Sequence, residues 1–331
     1  MEQEKILRGA EIVIRNWIGL RPSDKLCLVS SELHRDEILA LEKAARRISD
    51  QVRVMLVEQE GLHVGDYFDA RPEIFFPYDV VIAATDYSIV TTRACDAAIK
   101  KGVKFLSLPL STTNGESLLS FDFLMMDTEL SRLKAQILRR HVDHSSLIHV
   151  ESQLGTMLGF SMEGRKAGFF NGTFKDNHSF ASASFELYIP IVENKTCGTL
   201  VCDGAFGYIG RAEEPVTLKL QEGRIVSFSE NPEGERLKAY FASYRDERMY
   251  VAGEFGIGLN SLSRCRGLCY IEDESSYGTF HIGFGRNIGL GGCHEANGHF
   301  DLTTLRPSIW FDHHLIMREG ELLLPELEIR Y

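Results

Sequence analysis

Three strand-like runs in the last third of the chain place charged side chains among glycines and large apolar residues. They are Gly253-Glu254-Phe255-Gly256-Ile257-Gly258, Gly278-Thr279-Phe280-His281-Ile282-Gly283-Phe284-Gly285-Arg286-Asn287, and Gly298-His299-Phe300-Asp301. Successive side chains of a strand point to opposite faces. His299 and Asp301 therefore share one side, and Phe300 points away from them into a core. Carboxylates and imidazoles in apolar surroundings need a compensating partner, and a bound cation is the strongest one available. Two histidines with one or two carboxylates suit zinc, iron, cobalt or manganese, and spacing alone does not choose among them. The plain alternatives are a buried His–Asp hydrogen bond, a core histidine at 281 and a turn carboxylate at 254. Glu254, His281, His299 and Asp301 occurring together favour the metal.

The rest of the composition narrows the class. The chain has 331 residues, enough for one large domain or two ordinary ones, and 44% of them are hydrophobic. A formal net charge of -11 argues against a nucleic-acid binder, which needs a basic face. No apolar run approaches the roughly 20 residues of a membrane helix, and residues 1–20 read as an amphipathic helix, not a secretory signal. The seven cysteines are scattered, without a CxxC pair, as expected of reduced thiols in a cytoplasmic protein.

The first third alternates strand and helix signals. Leu26–Ser30, Val52–Val57, Asp79–Ala84 and Val103–Leu108 read as strands. Helices are expected around Ile38–Ala45 and over Thr91–Lys100. This pattern predicts a mostly parallel sheet with helices on its faces. It contains no GxGxxG after the first strand and no GxxxxGK[ST], so no nucleotide site is expected. Residues 127–144 read as a further amphipathic helix, started by Asp127 or Thr128. An α/β domain over 1–145, with a framing and assembly role, is expected to precede a metal-binding, catalytic domain over 146–331. That second domain reads as mostly antiparallel β, with strands at Val150–Met162, Phe185–Ile191, Thr199–Phe206 and Val216–Phe228 and a helix over Gly234–Arg248. Glu222-Gly223 and Glu319-Gly320 mark tight hairpin turns.

At these residues the chain resembles the aminopeptidase T family of metallo-aminopeptidases. Glu254 in its Gly-Glu-x-Gly-Ile-Gly run, His281 in its Gly-Thr-x-His-Ile strand and the His299-x-Asp301 pair match that family in order and context. The resemblance adds Glu186, in Phe185-Glu186-Leu187-Tyr188-Ile189-Pro190, as a further ligand. Its plain alternative is a strand-edge glutamate facing solvent. The family likeness implies two metal ions, removal of N-terminal residues from peptides, and a homodimer. On that reading Glu254 bridges the ions, and Glu186 or Glu254 moves the proton to the leaving amine.

Two departures set a second expectation. The peptidases carry a tyrosine seven residues after the strand histidine, where this chain has Ile288, and they carry a helical insertion that it lacks. In size the chain resembles the dihydroxypyridine ring-cleaving dioxygenase of the same fold. That enzyme uses one iron held by His, His and Asp, with its first histidine where Glu254 stands here and the other two ligands matching His299 and Asp301. A hydrolase is the main expectation, acting on a peptide or other small molecule. The alternatives are a mononuclear iron dioxygenase using His281, His299 and Asp301, or a catalytically altered biosynthetic or binding member of the fold. Arg286 and Asn287 are candidates for holding a substrate carboxylate, and His178 for the pocket rim. His294 and Glu295 read as loop residues. His313 and His314 face opposite sides of a strand and cannot join one site.

Overall fold

The computed structural model describes residues 2–58, 64–90, 92–175 and 179–325. They form two compact units, one of residues 1–128 with 170–184 and the other of residues 129–169 with 185–331. Among the described residues, no helix is long and apolar enough to cross a membrane.

In the first unit, strands β1 (Leu26–Ser30), β2 (Val52–Leu56), β3 (Val80–Ala83) and β4 (Lys104–Ser107) build the expected parallel sheet. Its order is β2-β1-β3-β4-β8, where β8 is Phe180–Ser182. Helices α1 (Glu2–Ile12), α2 (Arg35–Arg46), α3 (Val64–Asp69) and α4 (Arg93–Lys101) belong to the same unit. α4 starts where the Thr92 side chain accepts from the Cys95 amide. β1 and β3 are buried throughout, which is why their sequences are unbroken apolar runs instead of alternating ones. β8 was not expected. It lies after the helix that ends the α/β pattern, and it pairs parallel to β4 through Phe105 and Phe180.

The second unit opens with α5 (Thr128–Val142) and continues with two antiparallel sheets. The larger contains β5 (Leu147–Glu151), β6 (Met157–Ser161), β10 (Cys197–Cys202), β11 (Val216–Gln221), β12 (Arg224–Phe228), β16 (Ser308–Phe311), β17 (His314–Arg318) and β18 (Glu321–Leu322). Its order is β12-β11-β10-β6-β5-β16-β17-β18. The smaller contains β7 (Gly168–Asn171), β9 (Phe185–Pro190), β13 (Ala252–Gly258), β14 (Thr279–Gly285) and β15 (His299–Leu305), in the order β15-β14-β13-β9-β7. The expected α/β domain followed by a β-rich one is the fold observed.

Where Val150–Met162 reads as one strand, the chain makes a hairpin of β5 and β6. It turns at Gly155, whose φ of +104° few other residues accept. Glu222-Gly223 and Glu319-Gly320 do form tight turns, with positive φ at both residues of each pair. The helix expected to reach Arg248 stops earlier. α6 spans Pro232–Ser243, capped by Asn231 on the Gly234 amide, and a separate short turn follows at Glu247–Tyr250. A last helix, α7 (Tyr270–Ser275), packs against β9, β13, β14 and β15.

Alternation along β13 and β14 sorts their side chains. Phe255 and Phe280 stack at 5.6 Å between ring centres, with Phe160 and Phe311 of the larger sheet meeting Phe255 edge-on at 5.5 and 6.4 Å. All four rings are buried. This aromatic layer joins the two sheets and leaves the opposite face of the smaller one to glycines and polar groups. Phe255→Ala should therefore cost about 3–5 kcal/mol through the cavity left in this layer. Chemical unfolding of the variant beside the parent protein checks this.

Candidate metal centre

Glu254 and the glycines at 256 and 258 share one face of β13, as do His281, Gly283 and Gly285 on β14, His299 and Asp301 on β15, and Glu186 and Tyr188 on β9. In register, each charged residue lies opposite a glycine. Glu186 pairs with Gly258, Glu254 and Asp301 with Gly283, His281 with Gly256, and His299 with Gly285. The missing side chains are the room for the site. A Cβ on Gly256 would collide with the His281 ring, and one on Gly283 would lie 2.6 Å from Nε2 of His299 and 2.9 Å from Oδ1 of Asp301. Glu254 is further aimed by a register shift between Ala252 and Glu254, a bulge at Gly253.

The five candidate ligands fall into two groups that share Glu254. One is Glu254, His299 and Asp301; the other is Glu186, Glu254 and His281. In each, one potential ligand atom per residue lies within 4.8 Å of the others. His299 Nε2 stands 3.0 Å from Oε2 of Glu254 and 3.1 Å from Oδ1 of Asp301. Its Nδ1 donates to the Arg286 carbonyl at 2.8 Å, which fixes the ring and aims Nε2 at the carboxylates. His281 Nε2 is 2.7 Å from Oε2 of Glu186, and its buried Nδ1 has no hydrogen-bond partner among the described residues. His281 thus groups with the two glutamates, not with His299 and Asp301. The His281–Glu186 pair is sealed, with side chains 1% and 6% exposed. His299 and Asp301 keep 21% and 11%, so solvent reaches the centre from their side.

The electrostatics are those of an overcrowded acidic site. Burial disfavours the charged form of His281, yet Glu186, Asp301 and Glu254 outweigh it and raise the ring to about 9. Burial likewise opposes the charged His299, and Asp301 and Glu254 hold it well above its ordinary value. Burial pushes Glu254 up despite His299 beside it, whereas in Asp301 the His299 ring overcomes burial and lowers the carboxyl. A fourth carboxylate, Glu274 of α7, is driven well up by burial and by Glu186, Asp301 and Glu254. Four buried carboxylates face two imidazoles here. Protons alone compensate this poorly; a divalent cation compensates it directly.

The remaining expected residues are placed as follows. Arg286 contributes its carbonyl to His299, and its guanidinium lies 3.9 Å from Glu295. Asn287 is buried, with its amide engaged by Glu193, Gly253 and His294. His294 binds the Arg248 carbonyl through Nε2. Ile288 is exposed on the same loop. His178 lies outside the described residues. Two neighbours of the site were not singled out from sequence. Tyr188 follows Glu186 by two residues, so its place on the same face was available from strand alternation. Glu274 ends the run Glu272-Asp273-Glu274 on α7, and only the packing of α7 against the sheet brings it to the site.

Fold and donor set together define a two-unit protein whose β-rich part carries a candidate divalent-metal centre. The sequence matches the family NicX, 2,5-dihydroxypyridine 5,6-dioxygenase, over residues 78–324, and the chain belongs to that family. It is 25% identical over 146 residues to the 2,5-dihydroxypyridine 5,6-dioxygenase of Pseudomonas putida. That alignment covers 40% of this chain and 41% of the relative. The solved structure of the 2,5-dihydroxypyridine dioxygenase from Pseudomonas putida KT2440 superimposes with a TM-score of 0.80 at 18% identity, covering 98% of this chain and 99% of the other. Wild-type AmpT from Thermus thermophilus gives 0.64 at 13% identity, covering 98% and 100%.

These findings correct the main expectation. The chain is not a metallo-aminopeptidase-like hydrolase; the family and the named relative are dioxygenases, and the likeness to AmpT is one of fold. The hydrolase, metallopeptidase and aminopeptidase assignments fall together, and with them the bridging and proton-shuttling roles given to Glu254 and Glu186 in peptide cleavage. The physical reason is that one scaffold and one set of ligand types serve more than one reaction. A dioxygenase family implies a divalent metal such as iron, and the donor set of this centre fits one.

Two outcomes follow from this geometry. Gly256→Ala should displace the His281 ring and weaken divalent-metal uptake about tenfold or more, whereas Gly159→Ala, where an added Cβ meets nothing, should leave it unchanged; metal titration of both variants reads this. Metal ligation requires neutral imidazoles, while the carboxylates around them favour the protonated rings, raising His281 to about 9 and His299 well above its ordinary value. Binding should therefore release about one to two protons per ion, and apparent affinity should climb between pH 6 and pH 9. Calorimetry in buffers of different ionisation enthalpy measures the protons released.

Proposed function

We propose that this chain is a non-haem iron dioxygenase that cleaves a hydroxylated aromatic ring, with a dihydroxypyridine as the first substrate to test. Family membership over residues 78–324 carries the reading. The candidate centre supports it, because His299, Asp301 and Glu254 converge on one volume at its more accessible end. Divalent iron held there would supply the redox chemistry with dioxygen that organic side chains lack.

The protein's own groups have assigned tasks on this reading. His299, steered by the Arg286 carbonyl, offers Nε2 as a neutral ligand beside the carboxylates of Asp301 and Glu254. The sealed Glu186–His281 pair closes the far side of Glu254, away from the end that solvent reaches. Arg286, whose carbonyl holds His299, is the cation assigned to an anionic substrate group. The β-rich second unit, which holds all five candidate ligands, performs the chemistry.

The reading is tested by oxygen uptake. Protein loaded with Fe(II) without air should consume about one dioxygen per dihydroxypyridine opened, with both oxygen atoms recovered in the product. Asp301→Asn should abolish uptake while leaving the fold intact. No oxygen consumption with any dihydroxylated six-membered ring would end the proposal. The reading also includes a homodimer, on the sequence resemblance, and a cytoplasmic location, on seven unpaired cysteines. Light scattering that gives the single-chain mass of 37.3 kDa at micromolar concentration would remove the dimer.

A further inference from the structure

Asn287 is a principal tie of the loop between β14 and β15. Asn287 is 1% exposed, and its side chain donates twice through Nδ2, to Oε1 of Glu193 and to the Gly253 carbonyl, each at 2.9 Å. Its Oδ1 accepts from the His294 amide at 2.9 Å. Its backbone carbonyl accepts from the amides of Leu290 and Gly292, each at 3.0 Å, and its amide donates to the His294 carbonyl at 3.2 Å. Glu193 is itself fixed, accepting from the Cys293 amide at 2.8 Å and from Arg165 at 2.7 Å. An asparagine so fully engaged is not available to a substrate, which departs from the binding role suggested by its position after the His281 strand.

Two of these bonds act on backbone that positions the candidate metal centre. Gly253 is the bulged residue immediately before Glu254, so the bond from Nδ2 to its carbonyl pins the distortion that aims the Glu254 side chain. The Arg286 carbonyl belongs to the same peptide unit as the Asn287 amide. A peptide unit is planar, so the bond from that N–H to His294 also sets the direction of the C=O. That C=O receives Nδ1 of His299.

We propose that Asn287 is a positioning residue for the metal centre, its amide clamping the bulge that aims Glu254 and its peptide plane aiming the imidazole of His299. The inference rests on the centre being a metal site and is independent of the reaction run there. Outer groups that orient ligands in this way set metal affinity by about 10–100-fold when removed. Asn287→Asp keeps the shape and the acceptor for His294 but loses both donors. Asn287→Ala loses the side chain altogether. Glu193→Gln keeps one oxygen to accept from Asn287 and Cys293, and loses the charge and the second oxygen that accepts from Arg165.

The test is titration of each full-length protein with Co(II), read by its visible ligand-field absorption, beside chemical unfolding of the metal-free protein. Both Asn287 variants should bind Co(II) about 10–100-fold more weakly, with an altered spectrum, and Glu193→Gln should stay within about threefold of the parent. Folded Asn287 variants with parental affinity and spectrum would overturn the proposal. Failure of both to fold would overturn it too, by making Asn287 a residue of the fold alone. If the unaltered protein takes up no Co(II), the metal reading itself fails, an outcome distinct from the other two.

Discussion

Charge buried against a glycine-lined sheet face governs the second unit. Glu186, Glu254, Glu274 and Asp301 are all but withdrawn from water, and the rings beside them can neutralise them only in part. Such a cluster persists only if the surrounding structure forces it together. Here the aromatic layer of Phe255, Phe280, Phe160 and Phe311 supplies the force from the opposite face, since burying it fixes the strands whose other side carries the acids. The glycines complete the arrangement by removing the side chains that would otherwise fill the space.

The two overlapping donor groups explain why the same residues fit two enzyme classes. Glu254 belongs to both, with an accessible His–Asp pair on one side and a sealed Glu–His pair on the other. The fold is shared with AmpT and with the dihydroxypyridine dioxygenase alike. Ligand chemistry therefore does not separate hydrolysis from oxygen chemistry, and the family match does.

A good part of this was legible in the chain. The parallel strands of the first unit appear as short apolar runs, and the ligand-bearing strands as period-two patterns with glycine on the charged face. The hairpins at Glu222-Gly223 and Glu319-Gly320 follow from turn chemistry that needs positive φ. What stayed hidden depends on long-range pairing. β8 joins the first sheet by pairing Phe180–Ser182 with Phe105–Ser107, and neither segment advertises the other. The division at Gly155 was obscured by apolar residues on both sides of it.

Residue types and alternation determined which side chains could bind a cation, because a strand's two-residue period assigns faces without reference to its neighbours. Tertiary structure decided the grouping. His281 is drawn to Glu186 instead of to His299 by the register of β9, β13 and β14, and Glu274 arrives on a helix folded over the sheet. Distances between strands are set by packing and hydrogen-bond register, which depend on the whole unit and cannot be read from one segment at a time.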